Sequence, residues 1–319
     1  MLNNSSSKNS TTVRPKNLVR LTRAALQTAY ILSDDLGTSF AERLFTSPRR
    51  HRRPPRERDV LAAGRESIVD VKLRAPRWHG AHVPVTMWRW GVGPAVLLVH
   101  GWEGRGSQLG AFVAPVVAAG MSVIAFDAPG HGSSPDHRLY LTDMADTIAD
   151  VAETVGPLHG IIAHSFGAAA VLVAHLTHRV RAPRNVMLAP NVLIEDALVR
   201  FARVVGLDDA DRAALAQRIG AHTGLDIAAL RLECLTADRD DALLVLHDRS
   251  DREVSFEHAE AIERTWPNAQ LVEAAGLGHR RILRDADVVS RVVDFVRFGV
   301  PLPASDLVRE IDRQLEAVQ

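Results

Sequence analysis

The spacing of hydrophobic residues divides the chain into an N-terminal extension and a larger domain. Apolar residues recur at helical intervals from Asn17 to about Phe45 and predict one amphipathic helix. The preceding residues 1–16 are too polar to offset the entropy of ordering, so we expect a disordered leader. Residues 49–58 hold six arginines and two prolines, a composition that predicts a solvated linker without helix. Residues 1–58 therefore form a basic N-terminal extension.

From residue 59 onwards the pattern becomes that of an α/β domain. The segments "RESIVDVKL" and "AHVPVTMWRW" alternate as antiparallel strands do, and the apolar run "AVLLVH" predicts a strand buried on both faces. Five further strands are predicted, at 121–127, 158–164, 185–190, 242–247 and 269–274. Helices alternate with these strands, at about 107–119, 142–155, 166–179, 256–266 and 285–298. This alternation predicts an α/β fold with an open, mostly parallel sheet and helices on both faces.

One interval of the domain breaks this alternation. Residues 191–241 lie between two predicted strands but carry helical patterns in "EDALVRFARVVG" and "DDADRAALAQRIG". We interpret the interval as a helical lid inserted between two parts of the core, 59–190 and 242–300, and we expect a helical tail at 301–319. The apolar lid residues favour a substrate with an apolar acyl or alcohol group, although such residues more often pack in a core. They are Val192, Leu193, Ile194, Leu198 and Phe201.

Charge is balanced over the whole chain but not within it. Lys and Arg together number 38, as do Asp and Glu, so net charge gives no reason to expect a nucleic-acid partner. The extension alone carries 12 basic and 4 acidic residues, and no aromatic residue is interleaved among the arginines of 49–58. We expect the amphipathic helix to pack on the larger domain, with contact to a membrane surface as the alternative.

The expected cellular location rests on three negative features of the sequence. The single cysteine, Cys234, excludes an internal disulfide, and no secretory cleavage pattern follows the apolar stretch of the extension. No segment approaches the roughly 18 apolar residues of a membrane span. These features predict a cytoplasmic protein.

The candidate chemistry centres on Ser165, in "GIIAHSFGA", where a predicted strand passes into a helix. A serine at this place is either a helix N-cap or a nucleophile. A nucleophilic serine needs a base to accept its proton and an acid to orient that base. Asp251 and His279 each follow a later predicted strand. Because the carboxyl ends of the strands form the active edge of open α/β sheets, we expect these three side chains to meet.

Four motifs between residues 82 and 298 resemble the α/β-hydrolase fold family: "LLVHGWEG", "FDAPGHGSS", "AHSFGA" and the loops of the candidate acid and base. The resemblance implies Ser165 as nucleophile, Asp251 as acid and His279 as base. It also implies an oxyanion hole formed by the backbone N–H groups of Trp102 and Phe166. The fold implied is a mostly parallel sheet with helices on both faces and a small helical lid.

Two positions qualify the resemblance. Asp248 competes for the role of the acid because it also follows a strand, but Asp251, with Val254 three residues later, fits the spacing of the family better. Ala163 stands where glycine is commonest, and alanine is small enough for the turn.

Four further residues are predicted to shape the site rather than to react: His100, Gly101, His164 and Gly167. The resemblance implies that His100 braces the oxyanion turn by hydrogen bonding. His164 is expected to point to the opposite side of the turn from Ser165, as a candidate to line a pocket. No cluster of His, Cys and carboxylate residues has metal-ligand spacing, so neither a metal nor a cofactor is predicted.

These features predict a serine hydrolase that cleaves a small-molecule carboxylic ester or thioester through an acyl-enzyme. An acyltransferase or a carbon–carbon bond hydrolase would use the same three residues. A non-enzymatic ligand-binding protein of the same fold is the alternative from a different class.

Overall fold

The centre of the protein is an eight-stranded sheet, seen in a computed structural model that describes residues 15–227 and 230–299. The strands are β1 (Arg65–Lys72), β2 (His82–Trp90), β3 (Ala95–Val99), β4 (Ser122–Asp127), β5 (Leu158–His164), β6 (Arg184–Leu188), β7 (Ala242–His247) and β8 (Ala269–Glu273). Their order is β1-β2-β4-β3-β5-β6-β7-β8. β2 pairs antiparallel with β1 and β4, and all other pairs are parallel. The predicted mostly parallel sheet is confirmed.

Helices cover both faces of this sheet. The helices of the described ranges are α1 (Pro15–Leu32), α2 (Asp34–Thr46), α3 (Pro55–Ala62), α4 (Val113–Ala118), α5 (Leu141–Val155), α6 (Phe166–His178), α7 (Ile194–Val205), α8 (Asp209–Thr223), α9 (Leu232–Leu235), α10 (Glu257–Thr265), α11 (Gly278–Arg281) and α12 (Ala286–Phe298). Along β3, Leu97 and Val99 pack with residues of α5, α6 and α10, whereas Val96 and Leu98 pack with residues of α4 and α12. Burial on both faces explains why β3 is apolar without interruption.

The predicted helix at 107–119 is wrong in its first half. Residues Gly106–Phe112 form a 3₁₀ helix, and only Val113–Ala118 are α-helical. The segment lies tightly on β4, because a Cβ atom on Gly106 would approach the Phe126 carbonyl oxygen to 2.8 Å. The Gly106 N–H also donates to the buried carboxylate of Asp127 at 2.8 Å. This anchoring fixes a path that a regular α-helix cannot follow.

The lid segment, residues 191–241, contains α7, α8 and α9. α7 buries Leu198, Ala202 and Val205, which lie on one helical face, against Leu215 and Ile219 of α8. Asp208 caps α8 by accepting a hydrogen bond from the Asp211 N–H at 2.9 Å. The segment predicted to be a lid is thus a helical layer whose small core is shared with α1 and α2.

The extension forms two helices where one was predicted. Ser33 has an extended backbone between α1 and α2, and the acidic residues Asp34 and Asp35 occupy the first turn of α2, where they favour a new helix start. The extension packs mainly on the lid: Leu26 of α1 is 1% exposed and joins the core of α7 and α8, while Ile31 is 84% exposed.

The prediction of a solvated linker without helix at 49–58 is wrong in its second half: residues 49–54 are irregular and mostly exposed, but the following residues are helical and Glu57 is buried. α3 begins at Pro55, and proline suits the first turn of a helix because the N–H it lacks has no partner there. Arg53 pairs with the buried carboxylate of Asp127, and Arg105 makes a buried bidentate pair with Glu57. These ion pairs with residues far along the chain hold the arginine-rich segment on the domain.

Two other predictions lie outside the described residues. These are most of the disordered leader at 1–16 and the helical tail at 301–319. Within the described ranges, none of the helices combines the length and the apolar character required to cross a membrane.

Candidate functional site

Ser165 lies on a sharp turn between β5 and α6. Its φ of 51° and ψ of −120° are rarely adopted by L-residues and cost of order 1–3 kcal/mol. Two backbone hydrogen bonds hold the turn: the Ser165 N–H donates to the Leu188 carbonyl, and the Asn191 N–H donates to the Ser165 carbonyl, both at 3.1 Å. An N-cap serine has extended backbone and accepts a bond from the first helical turn, and Ser165 does neither.

The structure brings Ser165, His279 and Asp251 together in one hydrogen-bonded chain. The Ser165 Oγ lies 3.0 Å from Nε2 of His279, and Nδ1 of His279 lies 2.8 Å from Oδ2 of Asp251. Because the carboxylate can only accept, Nδ1 carries the hydrogen and Nε2 is left to accept the proton of the serine. This geometry is that of a general base aligned on a nucleophile.

The Asp251 carboxylate is fully buried and surrounded by donors. Its Oδ1 accepts from the backbone N–H groups of Glu253 at 2.7 Å and Val254 at 3.1 Å, and its Oδ2 also lies 3.3 Å from Nε2 of His247. Burial by itself would raise the pKa of Asp251, but the hydrogen bonds from His247, His279 and Glu253 outweigh burial and hold the pKa below its ordinary value. The carboxylate therefore stays ionised beside His279.

Two residues that sequence reasoning did not assign to the site support this arrangement. His247, the last residue of β7, reaches Asp251 because the loop turns back on the strand end. Asp248, the rival acid, accepts hydrogen bonds from the backbone N–H groups of Gly278 and Ser250 instead of meeting the ring of His279. It thereby fixes the loop that carries the base. Their position at the carboxyl end of a strand was the signal in the sequence.

Two neutral histidines brace the turn after β3. His100 Nδ1 donates to the Gly101 carbonyl at 2.8 Å, and its Nε2 accepts from the Ala128 N–H at 3.0 Å. His131 Nε2 accepts from the Glu103 N–H at 3.1 Å. Burial lowers the pKa of His100 to about 4 and that of His131 to about 3. In each ring one nitrogen must accept a hydrogen bond, so the braced turn requires both rings to be neutral.

The two residues predicted to donate to the oxyanion contact each other beside Ser165. Phe166 is the first residue of α6, where a backbone N–H has no acceptor within the helix. Trp102 lies in the braced turn, and its ring contacts the Phe166 ring edge-on with centroids 5.7 Å apart. Both residues therefore belong to one cluster next to Ser165.

The two site-shaping glycines sit where the backbone approaches other groups closely. A Cβ atom on Gly101 would lie 3.0 Å from Cβ of Ser165, and one on Gly167 would lie 2.5 Å from the His100 carbonyl oxygen. Side chains at either position would push the oxyanion turn away from the nucleophile.

The expectation that His164 points away from Ser165 is wrong. Its Nε2 donates to the His279 carbonyl at 3.0 Å, and the two imidazole rings lie 4.7 Å apart. The prediction assumed that strand alternation continues through the turn, but the left-handed backbone of Ser165 ends it. Burial and, to a smaller extent, the neighbouring His279 lower the pKa of His164 to about 3, so it supports the base as a neutral donor.

A cavity of about 1640 Å³ opens over Ser165 and His279. Three of the five lid residues singled out in the sequence, Ile194, Leu198 and Phe201, line it. The other two, Val192 and Leu193, donate their backbone N–H groups to Nδ1 of His258, each at 3.1 Å. The cavity is also lined by α2 and the arginine-rich segment, so the extension forms part of its wall.

No set of three or more His, Cys, Asp or Glu side chains among residues 15–227 and 230–299 is arranged to hold a metal ion. Cys234 is exposed on α9.

Known structures share this fold at low sequence identity. The esterase Est1E from Butyrivibrio proteoclasticus superposes with a TM-score of 0.57 at 17% identity, covering 74% of this chain and 99% of the esterase. A thermophilic esterase from Thermogutta terrifontis gives 0.53 at 18% identity, over 72% of this chain and 98% of that one. An esterase from Exiguobacterium antarcticum gives 0.51 at 18% identity, over 72% and 99%.

Sequence comparison is more specific but covers less of the protein. A serine hydrolase-like protein of Dictyostelium discoideum is 37% identical over 93 residues, which are 27% of this chain and 26% of that protein. The chain thus aligns with about a quarter of the length of this curated relative. The profile of the serine aminopeptidase S33 family matches residues 92–275, more than half of the chain. The match includes Ser165 and Asp251, and together with the fold it shows that the chain belongs to the serine aminopeptidase (S33) family of α/β hydrolases.

Proposed function

We propose that this protein is a serine hydrolase that cleaves a carboxylic ester or thioester through an acyl-enzyme on Ser165. The observation that carries the proposal is the continuous hydrogen-bonded chain from the Ser165 Oγ through His279 to Asp251. A serine without such a base is a weak nucleophile at neutral pH, whereas a serine aligned on a neutral imidazole attacks a carbonyl carbon readily.

In the first step the Ser165 Oγ forms a bond to the carbonyl carbon of the substrate, and its proton passes to Nε2 of His279. The imidazolium that results is stabilised by the ionised Asp251, which also keeps the ring oriented through Nδ1. The positive charge therefore develops beside a carboxylate that other donors already hold in place.

The negative charge develops on the former carbonyl oxygen. We assign its stabilisation to the backbone N–H groups of Trp102 and Phe166, with the partial positive charge at the start of α6 adding to them. Loss of one such donor costs about 10² to 10³ in turnover in serine hydrolases. The bracing of the turn by His100 and His131 therefore supports the reaction by holding the Trp102 N–H in place.

Collapse of the tetrahedral intermediate breaks the bond to the leaving alcohol or thiol, which takes the proton from Nε2 of His279. Water then attacks the acyl-enzyme, gives a proton to the same nitrogen, and the carboxylic acid departs as Ser165 regains its hydrogen. The reaction uses one water and leaves the enzyme unchanged. Neither step requires a metal or a cofactor.

Three features of the proposal concern the substrate and the setting. The apolar lid residues that line the cavity support an apolar group in the substrate.

An acyltransferase or a carbon–carbon bond hydrolase would use the same groups, with a different acceptor or a different bond broken. The single cysteine, Cys234, supports a cytoplasmic location.

The first test is labelling by a fluorophosphonate probe, followed by mass spectrometry of the modified peptide. We expect an adduct on Ser165 in the native protein and none in Ser165→Ala. Ser67→Ala, which changes an exposed serine on β1, is the matched control and should label like the native protein. An unlabelled Ser165 in folded native protein would contradict an activated nucleophile and favour a ligand-binding protein.

A further inference from the structure

The wall of the cavity is rich in arginine, although the chain as a whole has no net charge. Nine arginines but only three glutamates, and no aspartate, line it. The arginines are Arg49, Arg52, Arg53, Arg56, Arg58, Arg105, Arg200, Arg280 and Arg284. A formal excess of six positive charges is thus gathered around one cavity.

Four of these arginines are neutralised by carboxylates: Arg49 by Glu103, Arg53 by Asp127, Arg105 by Glu57 and Arg280 by Glu253. The other five have no carboxylate within ion-pair distance among residues 15–227 and 230–299. We call these five the cationic rim: Arg52, Arg56, Arg58, Arg200 and Arg284. Like charges in the wall of one cavity repel each other, and an anion bound among them would relieve that repulsion.

The rim lies beside the candidate catalytic groups. Arg284 lies in the turn that follows α11, four residues after Arg280, which itself directly follows His279. On the other side of the cavity, Arg52 lies in the sequence between Arg49, which binds Glu103, and Arg53, which binds Asp127. Glu103 and Arg280 line the same cavity as Ser165, so the two sides belong to one wall above the candidate nucleophile.

A second part of the wall is apolar. It includes Phe45 of α2, Leu198 and Phe201 of α7, Ile219 of α8, and Leu230. The rings of Phe45 and Phe201 contact each other with centroids 5.0 Å apart, which joins the extension to the lid along this part of the wall. At about 1640 Å³ the cavity exceeds the 300–1,000 Å³ of ordinary ligand pockets and has room for an extended chain and a polar head together.

We propose that the substrate is a fatty-acyl ester or thioester whose leaving group carries phosphate, with the acyl chain in the apolar part of the cavity and the phosphate at the cationic rim. This inference rests on the proposed function. Guanidinium groups bind phosphate through paired N–H donors, and several arginines satisfy a dianion that water would otherwise solvate. An acylglycerol phosphate and an acyl-coenzyme A share this chemistry.

The test separates binding from hydrolysis by using Ser165→Ala protein, which retains the cavity. Calorimetry compares 1-lauroylglycerol 3-phosphate with 1-lauroylglycerol, and lauroyl-coenzyme A with the lauroyl thioester of N-acetylcysteamine. Within each pair only the phosphate-bearing part differs. We expect at least tenfold tighter binding of the phosphate-bearing member of one pair, equivalent to about 1.4 kcal/mol. The pair that shows the preference identifies the leaving group.

The role of the rim is tested by R52Q/R56Q/R284Q on the same Ser165→Ala background. We expect the preference to fall below about twofold, and the charge-retaining R52K/R56K/R284K variant to recover most of it. R65Q/R264Q/R291Q removes three exposed arginines outside the cavity and should keep the full preference. Raising the salt concentration to 0.5 M should weaken the preference, because ions screen exposed charges.

The outcomes distinguish the two proposals. Equal binding of both members in both pairs, or the same preference in the rim variant and in the control variant, would overturn the inference about phosphate. Native protein that hydrolyses the neutral lauroyl esters without preference would leave the proposed function standing while this inference fails. Preferential binding without hydrolysis or fluorophosphonate labelling would support the phosphate site and overturn the proposed function.

Discussion

One of the contacts that hold the extension on the domain is a buried ion pair, and its loss should destabilise the whole protein. Glu57 and Arg105 are each 7% exposed at the side chain, and the carboxylate accepts two bonds from the guanidinium, at 2.5 and 2.8 Å. The hydroxyl of Ser107 donates to the same carboxylate at 2.8 Å. Glu57→Gln preserves the size of the side chain but leaves the charge of Arg105 buried without a counter-ion.

Removal of one partner from a buried ion pair costs about 3–5 kcal/mol, because the remaining charge has lost both water and its partner. We expect Glu57→Gln to lower the free energy of unfolding by about that amount. Asp240→Asn is the control, since it breaks the surface pair with Arg181, in which Asp240 is 92% exposed. Exposed pairs contribute about 0–1 kcal/mol.

The assay is urea denaturation followed by tryptophan fluorescence, with the free energy of unfolding compared among native protein, Glu57→Gln and Asp240→Asn. Glu57→Met combined with Arg105→Met should be more stable than Glu57→Gln, since no uncompensated charge is then buried. If Glu57→Gln lies within about 0.5 kcal/mol of Asp240→Asn, the pair does not anchor the extension and the reasoning is refuted.

Three further predictions concern the site. Below pH 6.5 the unfolded chain protonates His131 while the folded protein keeps it neutral down to about pH 3, so stability present above pH 6.5 is lost on acidification. His131→Gln should therefore flatten the fall in unfolding free energy between pH 6.5 and 4.5 by of order 2 kcal/mol, measured by urea denaturation; an unchanged slope would contradict burial of a neutral ring. Asp251→Asn should reduce kcat by about 10⁴ in ester hydrolysis, whereas Asp70→Asn on exposed β1 should not, and equal rates would exclude Asp251 as the orienting acid. Gly167→Ala should lower the free energy of unfolding by about 1–3 kcal/mol, because the added Cβ atom would lie 2.5 Å from the His100 carbonyl oxygen. If the variant unfolds at the same urea concentration as the native protein, the close approach is contradicted.

The parallel sheet could be predicted because its signals are local. "AVLLVH" reads as a doubly buried strand from six residues, and the structure places Ala95–Val99 at the centre of the sheet. The positions of Ser165, Asp251 and His279 were accessible for a similar reason. Each follows a strand, and the carboxyl ends of parallel strands meet at one edge whatever the intervening segments do.

The packing around these residues could not be predicted in the same way. His164 was assigned to the wrong side because the backbone of Ser165 leaves the strand conformation, which hydrophobic periodicity does not report. His247 carries no motif of its own and meets Asp251 only through the shape of the loop.

By itself the sequence determined the order of strands and helices, the strand-to-helix turn at Ser165 and the chain order of serine, aspartate and histidine. Only the tertiary structure decided the place of the arginine-rich segment. From its local sequence, the run "RRHRRPPRER" is expected to be exposed to solvent. In the folded protein Arg49 pairs with Glu103, 54 residues away, and Arg53 pairs with Asp127, 74 residues away. The free energy of an ion pair depends on the distance between the charges and on their burial, and neither quantity can be predicted from the local sequence.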